Sequence, residues 1–550
     1  MPIIFWDVET RSTVNLETAG TWRYASDGST EVLCVAFAVD DAEPKIWVPG
    51  EPIPSVFIAA AADPNWLVVA HNYAFERAIE TRVLTPRYGW PCIPIAQQRC
   101  SMALALANAL PGGLDAAAAA LGLLVQKDVE GHKLMKKMSR PLPRRKRGSA
   151  PGEVRWHDTP EARERLAQYC KQDVIVERMV YNALPLLSPA EQAHWELDAV
   201  INARGFPVDL ALAMAARDLA RGERQRLNAE IADLTDGEVT TIDQVARIRA
   251  YVERHGHQLS SLGKRSVSAV LAHAPEDAVR CVLELRREGA RASARKLDRL
   301  LAMVDEDGRL RGTLRFHAAH TGRWSGRGYQ PQNLKRPETA DLDAAVDAVL
   351  SGDRERVRAL GAPLTIAGDV QRSVICAAPG HRLIAGDFSA VESRVLAWIA
   401  GERWKIDVYS EYDRTGDPSL EPYCVLASQA LRRTVTPDDE AGRQFGKTYD
   451  LAFGFGGGRG AWRKFDTSDT YTDAEVEGFK DQFRRTHCAT VRFWHVLERA
   501  AHYTIRSKQG ARLGNRFYFT MENAVHDVAE RPSASVSGRA HGAGQVRGHQ

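Results

Sequence analysis

Residues 381–400, HRLIAGDFSAVESRVLAWIA, place an acid at the end of a short apolar run and a helical pattern directly after it. The run at 383–388 predicts a buried strand that carries Asp387 to its exposed end. Ser389 offers an N-cap for the helix, and Glu392 falls in its first turn. Carboxylates placed in this way can hold divalent ions against phosphate oxygens. A strand-to-helix turn with a capping Glu is the plain alternative.

The segment GDFSAVESRVLAW resembles motif A of family A DNA polymerases, the group that includes bacterial DNA polymerase I. The acid, Ser, Glu and Arg of that motif fall at Asp387, Ser389, Glu392 and Arg394, and Phe388 stands where Tyr is more frequent. The resemblance implies that Asp387 binds catalytic Mg²⁺. It also implies that Glu392 fills the space of a ribose 2′-hydroxyl and so selects deoxynucleotides.

A second segment, EAGRQFGKTYDLAFGFGGG, carries Arg443, Lys447, Leu451 and Phe455 at intervals of four, which predicts one stripe on a helix that ends in glycines. The cationic half suits a triphosphate and the apolar half suits a base. An amphipathic helix with a glycine stop is the alternative. The pattern resembles motif B of the same polymerases, with Phe455 in place of Tyr. The resemblance implies that Arg443, Lys447 and Phe455 bind the incoming nucleotide.

The stretch RFHAAHTGRWSGRGYQPQNLKRP mixes basic and aromatic residues, which is a modest nucleic-acid footprint. TGRWS and QPQNL resemble the family's TGR…PNLQN segment. The resemblance implies that Arg323, Gln332 and Asn333 contact the minor groove near the primer end, where acceptors common to all base pairs allow pair geometry to be checked. Arg372, upstream of the predicted motif A strand as in the family, is placed with these DNA-binding residues.

The N-terminal segment PIIFWDVET predicts a strand with Asp7 and Glu9 on one face. VVAHNYAFERAI predicts a helix with Asn72 and Glu76 on one face, and LAQYCKQDVIVE repeats the spacing with a tyrosine and an acid. A lone DxE is a weak signal, and a solvated strand end is its more frequent explanation. Together, in this order, the segments resemble proofreading 3′–5′ exonucleases with four acids and a tyrosine, built on a ribonuclease-H-like sheet.

This second resemblance implies that Asp7, Glu9 and Asp173 bind Mg²⁺ and that Tyr169 orients the attacking water. Glu76 stands where the family usually has Asp. Because small misplacements in such sites cost large factors in rate, the longer side chain is expected to affect the exonuclease.

A chain of 550 residues is too long for one core. Its net charge of +3 gives no global field, so DNA contacts must come from local patches. The eight cysteines form no CxxC pair, which favours reduced thiols. The N-terminus does not resemble a signal peptide, and the apolar run at 116–125 is too short for a bilayer. We therefore expect a cytoplasmic monomer, in bacteria or phage-infected cells, without membrane contact.

The predicted fold is an α/β ribonuclease-H-like exonuclease domain followed by a mixed α+β right-hand polymerase. Its segments are the exonuclease domain at 1–185, a thumb-like helical region at 186–312, the first part of the palm at 313–400, the fingers at 401–522, and an atypical disordered tail at 523–550.

The end of the chain departs from the polymerase pattern. The family needs motif C, a hairpin that supplies a second metal-binding Asp, whereas VHDV at 525–528 lacks the following acid and comes too soon after Arg443. The tail is rich in Ser, Gly, Ala and Arg without apolar periodicity. A reading-frame change or an early end of the gene after Asn523 would explain it. We expect weak nucleotidyl transfer and uncovered apolar surface as a result.

The function predicted from all segments is that of a DNA-directed DNA polymerase in DNA replication, with primer–template DNA and deoxynucleoside triphosphates as partners, Mg²⁺ as cofactor and a 3′–5′ proofreading exonuclease. One alternative is a chain that acts only as a metal-dependent 3′–5′ exonuclease. The other is a non-catalytic DNA-binding protein.

Overall fold

The computed structural model describes residues 1–123, 128–142, 154–273, 277–289, 293–319, 321–466, 470–513, 517–522 and 545–549. The chain divides into two compact units, Met1–Leu383 and Ile384–Gln550. This division falls inside the range 313–400 that the sequence assigns to the palm, and the predicted segment boundaries stay predictions.

A five-stranded sheet organises the first part of the Met1–Leu383 unit, with the order β3-β2-β1-β4-β5. Strand β1 pairs antiparallel with β2 and parallel with β4. Successive side chains of β1 pack into hydrophobic cores on opposite faces of the sheet. Ile4 and Trp6 belong to one core, and Phe5 belongs to the other. Both faces of the sheet are therefore covered, which explains its long apolar runs. The strands are β1 (Ile3–Arg11), β2 (Glu31–Val39), β3 (Lys45–Trp47), β4 (Leu67–Ala70) and β5 (Gln98–Cys100).

Helices cover this sheet on both sides. The longest, Pro160–Ala183, starts where the Thr159 hydroxyl accepts a hydrogen bond from the backbone N–H of Ala162, with Pro160 at the first helical position. The helices are α1 (Leu16–Ser26), α2 (Ser55–Ala62), α3 (Ala74–Ile79), α4 (Thr85–Tyr88), α5 (Ser101–Ala107), α6 (Leu114–Ala120), α7 (Val129–Met138) and α8 (Pro160–Ala183).

The rest of the first unit is mainly helical, and α10 packs against α13, α14, α15 and α17. Its helices are α9 (Pro189–Arg204), α10 (Leu210–Leu234), α11 (Val245–Arg254), α12 (Lys264–Ala272), α13 (Asp277–Gly289), α14 (Ser293–Met303), α15 (Leu342–Ser351), α16 (Arg354–Leu360) and α17 (Pro363–Asp369). Short strands pair as β6 (Phe206–Pro207) with β7 (Arg309–Leu310), and β8 (Leu314–Arg315) with β9 (Ser325–Gly326).

The Ile384–Gln550 unit is built on an aromatic core in which Phe445 packs edge-on against Trp462 at a centroid distance of 5.4 Å. Its elements are α18 (Val391–Ala400), α19 (Arg403–Thr415), α20 (Pro422–Leu431), α21 (Glu440–Phe453), α22 (Arg459–Phe465), α23 (Asp473–Thr486), α24 (Cys488–Ser507), β10 (Ala511–Leu513), β11 (Phe517–Glu522) and β12 (Gln545–His549). No helix in the described part of the chain is both long and apolar enough to cross a bilayer.

Part of the predicted disordered tail is a strand, because β12 pairs antiparallel with β11. The prediction of disorder is wrong for Gln545–His549. The edge of β11 presents backbone N–H and C=O groups that an extended segment can pair with, whatever its apolar content. Residues 523–544, which include VHDV, lie outside the described residues.

Close packing of α20 on α21 makes Gly446 sensitive to substitution. A Cβ at this position would lie 1.9 Å from the carbonyl oxygen of Tyr423. We expect Gly446→Ala to lower the free energy of unfolding by about 1–3 kcal/mol, measured by urea titration. Gly460→Ala in α22, where a Cβ meets no atom within 4 Å, is the matched control and should gain about 0.5–1 kcal/mol. Equal changes in the two variants would contradict the close approach.

Candidate functional site

Three of the predicted metal ligands converge at the sheet. Strand β1 presents Asp7 and Glu9, and α8 brings Asp173 against them, so that one carboxylate oxygen from each lies within 4.8 Å of the others. The thiol of Cys170, also on α8, donates a hydrogen bond of 3.2 Å to Asp7 Oδ2. The alternation of β1 and the helical repeat of α8 are local properties that the sequence predicts, whereas the meeting of these two elements was implied only by the resemblance to the exonucleases.

Burial dominates the electrostatics of these acids. It raises the pKa of Asp7 from 3.8 to about 6. Burial and the charge of Asp7 together raise the pKa of Asp173 to about 8. The pKa of Glu9 is raised well above its ordinary value, again by burial first and by Asp7 second. Without a cation the cluster does not ionise completely near neutral pH, since like charges in a buried site cannot all ionise.

Two further buried acids belong to the same cluster. Glu76, on α3, is 2% exposed, and burial and the charge of Asp7 raise its pKa well above the ordinary value. Glu177, one turn beyond Asp173 on α8, has its pKa raised by burial and then by Glu76. One carboxylate oxygen of each has no hydrogen-bond partner within the described parts of the chain. The sequence analysis missed Glu177, although its spacing of four from Asp173 would have identified it.

Tyr169 lies one turn before Asp173 on α8, as the sequence predicts. Its hydroxyl is 3.5 Å from Nδ1 of His132, a contact that the sequence analysis missed. Burial and then the charge of Asp173 raise the pKa of Tyr169. Tyr169 is therefore a neutral phenol at working pH and can donate a hydrogen bond.

Asn72 does not share a helix face with Glu76, so that expectation is wrong. Asn72 has φ of +67° and precedes α3, which begins at Ala74. Its carbonyl accepts from the N–H of Phe75 in the turn between β4 and α3. Asn tolerates this left-handed conformation better than most residues, which allows the tight turn. Sequence spacing alone does not reveal where the helix begins.

The acidic centre suits a hard divalent cation. Asp7, Glu9 and Asp173 offer carboxylate oxygens, which Mg²⁺ prefers. One buried carboxylate oxygen of Glu76 has no hydrogen-bond partner in the described chain and is also available to a cation. A bound cation would offset the cost of burying several carboxylates together.

Asp387 does not lie at the end of a buried strand, and this prediction is wrong. Residues 381–389 are exposed and irregular, and no strand in the described part of this unit pairs with them. The apolar run cannot form a strand alone, because strand backbone needs neighbouring N–H and C=O groups. Ser389 is not the N-cap either, since Ala390 takes that position with φ of 50° and no side-chain cap. Glu392 lies in the first turn of α18, as predicted.

The cationic residues of the predicted nucleotide stripe lie on α21, half-buried. Arg443 forms an ion pair of 2.8 Å with Glu421, and its guanidinium lies 5.5 Å from the ring centroid of Tyr423. The sequence analysis missed both partners, since they lie on or beside α20 and only tertiary packing brings them to α21. Lys447 follows one turn after Arg443 on the same side of the helix.

Phe455 does not continue the stripe on α21. The helix ends at Phe453, and Gly456, with φ of +77°, turns the chain directly after Phe455. The Phe455 ring is 62% exposed. The glycines were correctly identified as the helix stop, but the helix ends before Phe455 rather than after it.

The predicted DNA contacts of the first unit are exposed. Gln332 and Asn333 lie in the 3₁₀ turn Pro331–Asn333. The guanidinium of Arg372 donates to the carbonyls of the next two residues after this turn, at 2.6 and 2.8 Å. Arg372 therefore holds the turn that presents the two amides. Arg323 is exposed on the segment between β8 and β9.

Stability should depend on pH through the acidic centre. Because the folded pKa values of Asp7 and Asp173 are raised, the folded state binds protons more tightly, and this stabilisation is lost as pH rises through about 6 and about 8. In EDTA we expect the free energy of unfolding to fall between about pH 5 and pH 8. Asp173→Asn should raise it at about pH 8 by at least about 1 kcal/mol.

Urea titrations at a series of pH values measure this effect. Asp41→Asn, at an exposed site on the same unit, is the matched control and should follow the wild type. Saturating Mg²⁺ should flatten the wild-type profile. If the unfolding free energy of the wild type in EDTA did not change with pH, the raised pKa values of the buried acids would be contradicted.

Comparison with known proteins identifies the family, although no family model matches the chain. The chain is 31% identical over 527 residues to the DNA polymerase of Bacillus phage SP02. The alignment covers 94% of this chain and 79% of that protein. The fold of this chain is similar to that of the POL domain of Pol1 from M. smegmatis, which was solved with DNA primer-template and dNTP. The TM-score is 0.57 and the sequence identity 14%, and the match covers 91% of this chain and 76% of that one. The chain therefore belongs to the phage-type family A DNA polymerases, which are DNA-directed DNA polymerases.

Proposed function

We propose that this chain is a replicative DNA polymerase with its own 3′–5′ exonuclease at the acidic centre of the first unit. The observation that carries the exonuclease is the convergence of Asp7, Glu9 and Asp173 within 4.8 Å. The strand order β3-β2-β1-β4-β5, with β1 antiparallel to β2 and parallel to β4, supports a ribonuclease-H-like sheet. Residues 1–185 would form this exonuclease domain.

In the exonuclease, Asp7, Glu9 and Asp173 would hold Mg²⁺, which when bound activates water and neutralises phosphate oxygens. Tyr169 would orient the attacking water through its neutral hydroxyl, with His132 beside it. Glu76, facing the same acids, would take the position of the family's fourth carboxylate. Glu9, Glu76 and Tyr169 are buried, whereas Asp7, Asp173 and His132 are half-buried, so the cluster is partly shielded from solvent.

In the polymerase, we propose that Arg443 and Lys447 receive the triphosphate and that Asp387 binds Mg²⁺. Glu421 competes for Arg443, so nucleotide binding would exchange one anionic partner for another. Glu392 would select deoxynucleotides and Phe455 would contact the base. Arg323, Gln332, Asn333 and Arg372 would bind primer–template DNA.

Two substitutions separate the two activities. On one labelled primer–template, we expect Asp7→Ala to slow primer degradation by at least about 100-fold with extension retained, since a misplaced ligand in such a site costs about this factor. Asp387→Ala should stop extension and leave degradation intact. Gel analysis of product lengths, with and without nucleotides, measures both on the same preparation.

The outcomes also distinguish the alternatives. Degradation without extension in the wild type would leave an exonuclease alone. The exposed segment around Asp387, which pairs with no described strand, favours this alternative. DNA binding without either activity would leave a non-catalytic binding protein. Degradation unchanged in Asp7→Ala would overturn the exonuclease.

A further inference from the structure

A cavity within the Met1–Leu383 unit lies beside the turn that carries Asn72. The cavity has a volume of about 50 Å³ and is partly open to solvent. Aromatic rings from α1, α9 and the turn before α3 form much of its wall, together with the residue after β8: Trp22, Trp195, Tyr73 and Phe316.

Two arginines on this wall have no anionic partner among the residues that the structure describes. The side chains of Arg315 and Arg327 make no hydrogen bond or ion pair with any described residue, and Arg315 Nε is buried. Burial, and then the nearby charges of Arg315 and Arg299, lower the pKa of Arg327. Asp198, also on the wall, accepts instead from Trp324 Nε1 at 2.8 Å.

Neighbouring cations without counter-charges are costly in a partly buried site. Arg77 adds a third guanidinium, whose Nη1 donates to Gln98 at 3.0 Å while its Nε is buried without a partner in the described chain. An anion that accepts several N–H bonds would offset these charges, and a phosphate group matches guanidinium geometry. We propose that this arginine–aromatic cavity, defined by Arg77, Arg315 and Arg327, binds a phosphate group of single-stranded DNA.

The position of the cavity indicates that the bound phosphate belongs to single-stranded DNA. Asn72 and Arg77 on its wall flank Glu76, which faces the acidic centre. A single strand entering that centre carries a phosphate at every nucleotide. The choice of a strand rests on the exonuclease proposed above. A nucleoside monophosphate, the product of such a reaction, has the same recognition chemistry and is the second source to test.

The double variant Arg315→Gln/Arg327→Gln tests the cavity in the full chain. Fluorescence anisotropy with a labelled single-stranded oligonucleotide in EDTA measures binding without cleavage. We expect the affinity to fall by about 10- to 100-fold, because hydrogen bonds to charged groups are lost. The salt dependence of log K should weaken by about 0.7 per lost phosphate contact. Arg356→Gln, exposed on α16 in the same unit, is the matched control and should bind as the wild type.

Thermal melting with inorganic phosphate or a deoxynucleoside monophosphate forms the second arm. The double variant should melt no lower than the wild type without ligand, since it removes two partly buried cations that pair with no described acid. Loss of oligonucleotide binding alone supports a strand phosphate, and loss of the monophosphate-induced shift alone supports the free product. If the double variant behaves as the wild type in both arms, the proposal that this cavity binds a phosphate group is overturned. Because neither arm needs cleavage, failure of the exonuclease in Asp7→Ala is a separate result.

Discussion

Burial of carboxyl groups around one end of a sheet is the constraint on which the first unit depends. Asp7, Glu9, Glu76, Asp173 and Glu177 come from three separate elements and are packed so closely that burial and mutual repulsion raise their pKa values. Covered sheet faces and the long helix α8 hold them together despite this cost. A bound cation would offset the repulsion among these carboxylates and so stabilise the fold. The same cation is the one required by the proposed chemistry.

The sequence predicts this cluster where the geometry is local. Asp7 with Glu9 follows the alternation of a strand, and Tyr169 with Asp173 follows one turn of a helix, so both pairs were found from spacing alone. Asn72 could not be placed in the same way, because its left-handed conformation depends on how β4 turns into α3. Partners that come from another part of the chain, such as His132 beside Tyr169, have no spacing signal at all.

The second unit shows the opposite case. Its helix α21 formed as predicted because the pattern is helical and the aromatic face has a core to enter. The run around Asp387 has the composition of a strand but no strand beside it among the described residues, so Ile384 and Phe388 are 87% and 83% exposed. Trp398 of α18 is 56% exposed as well, so several large apolar side chains at the start of this unit are exposed. Local pattern specifies a helix, whereas a strand also needs a partner.

Opposite charges meet within a single turn in the first unit. Glu76 of α3 faces the acids. Arg77, the next residue, and Asn72, in the turn before α3, line the arginine–aromatic cavity. A DNA strand approaching the acids alone would be repelled, since each phosphate carries the same sign as the carboxylates. The arginines of the cavity carry the opposite charge and would attract the same strand. The excess charge of each region is unfavourable by itself, and a bound strand with its metal would compensate both.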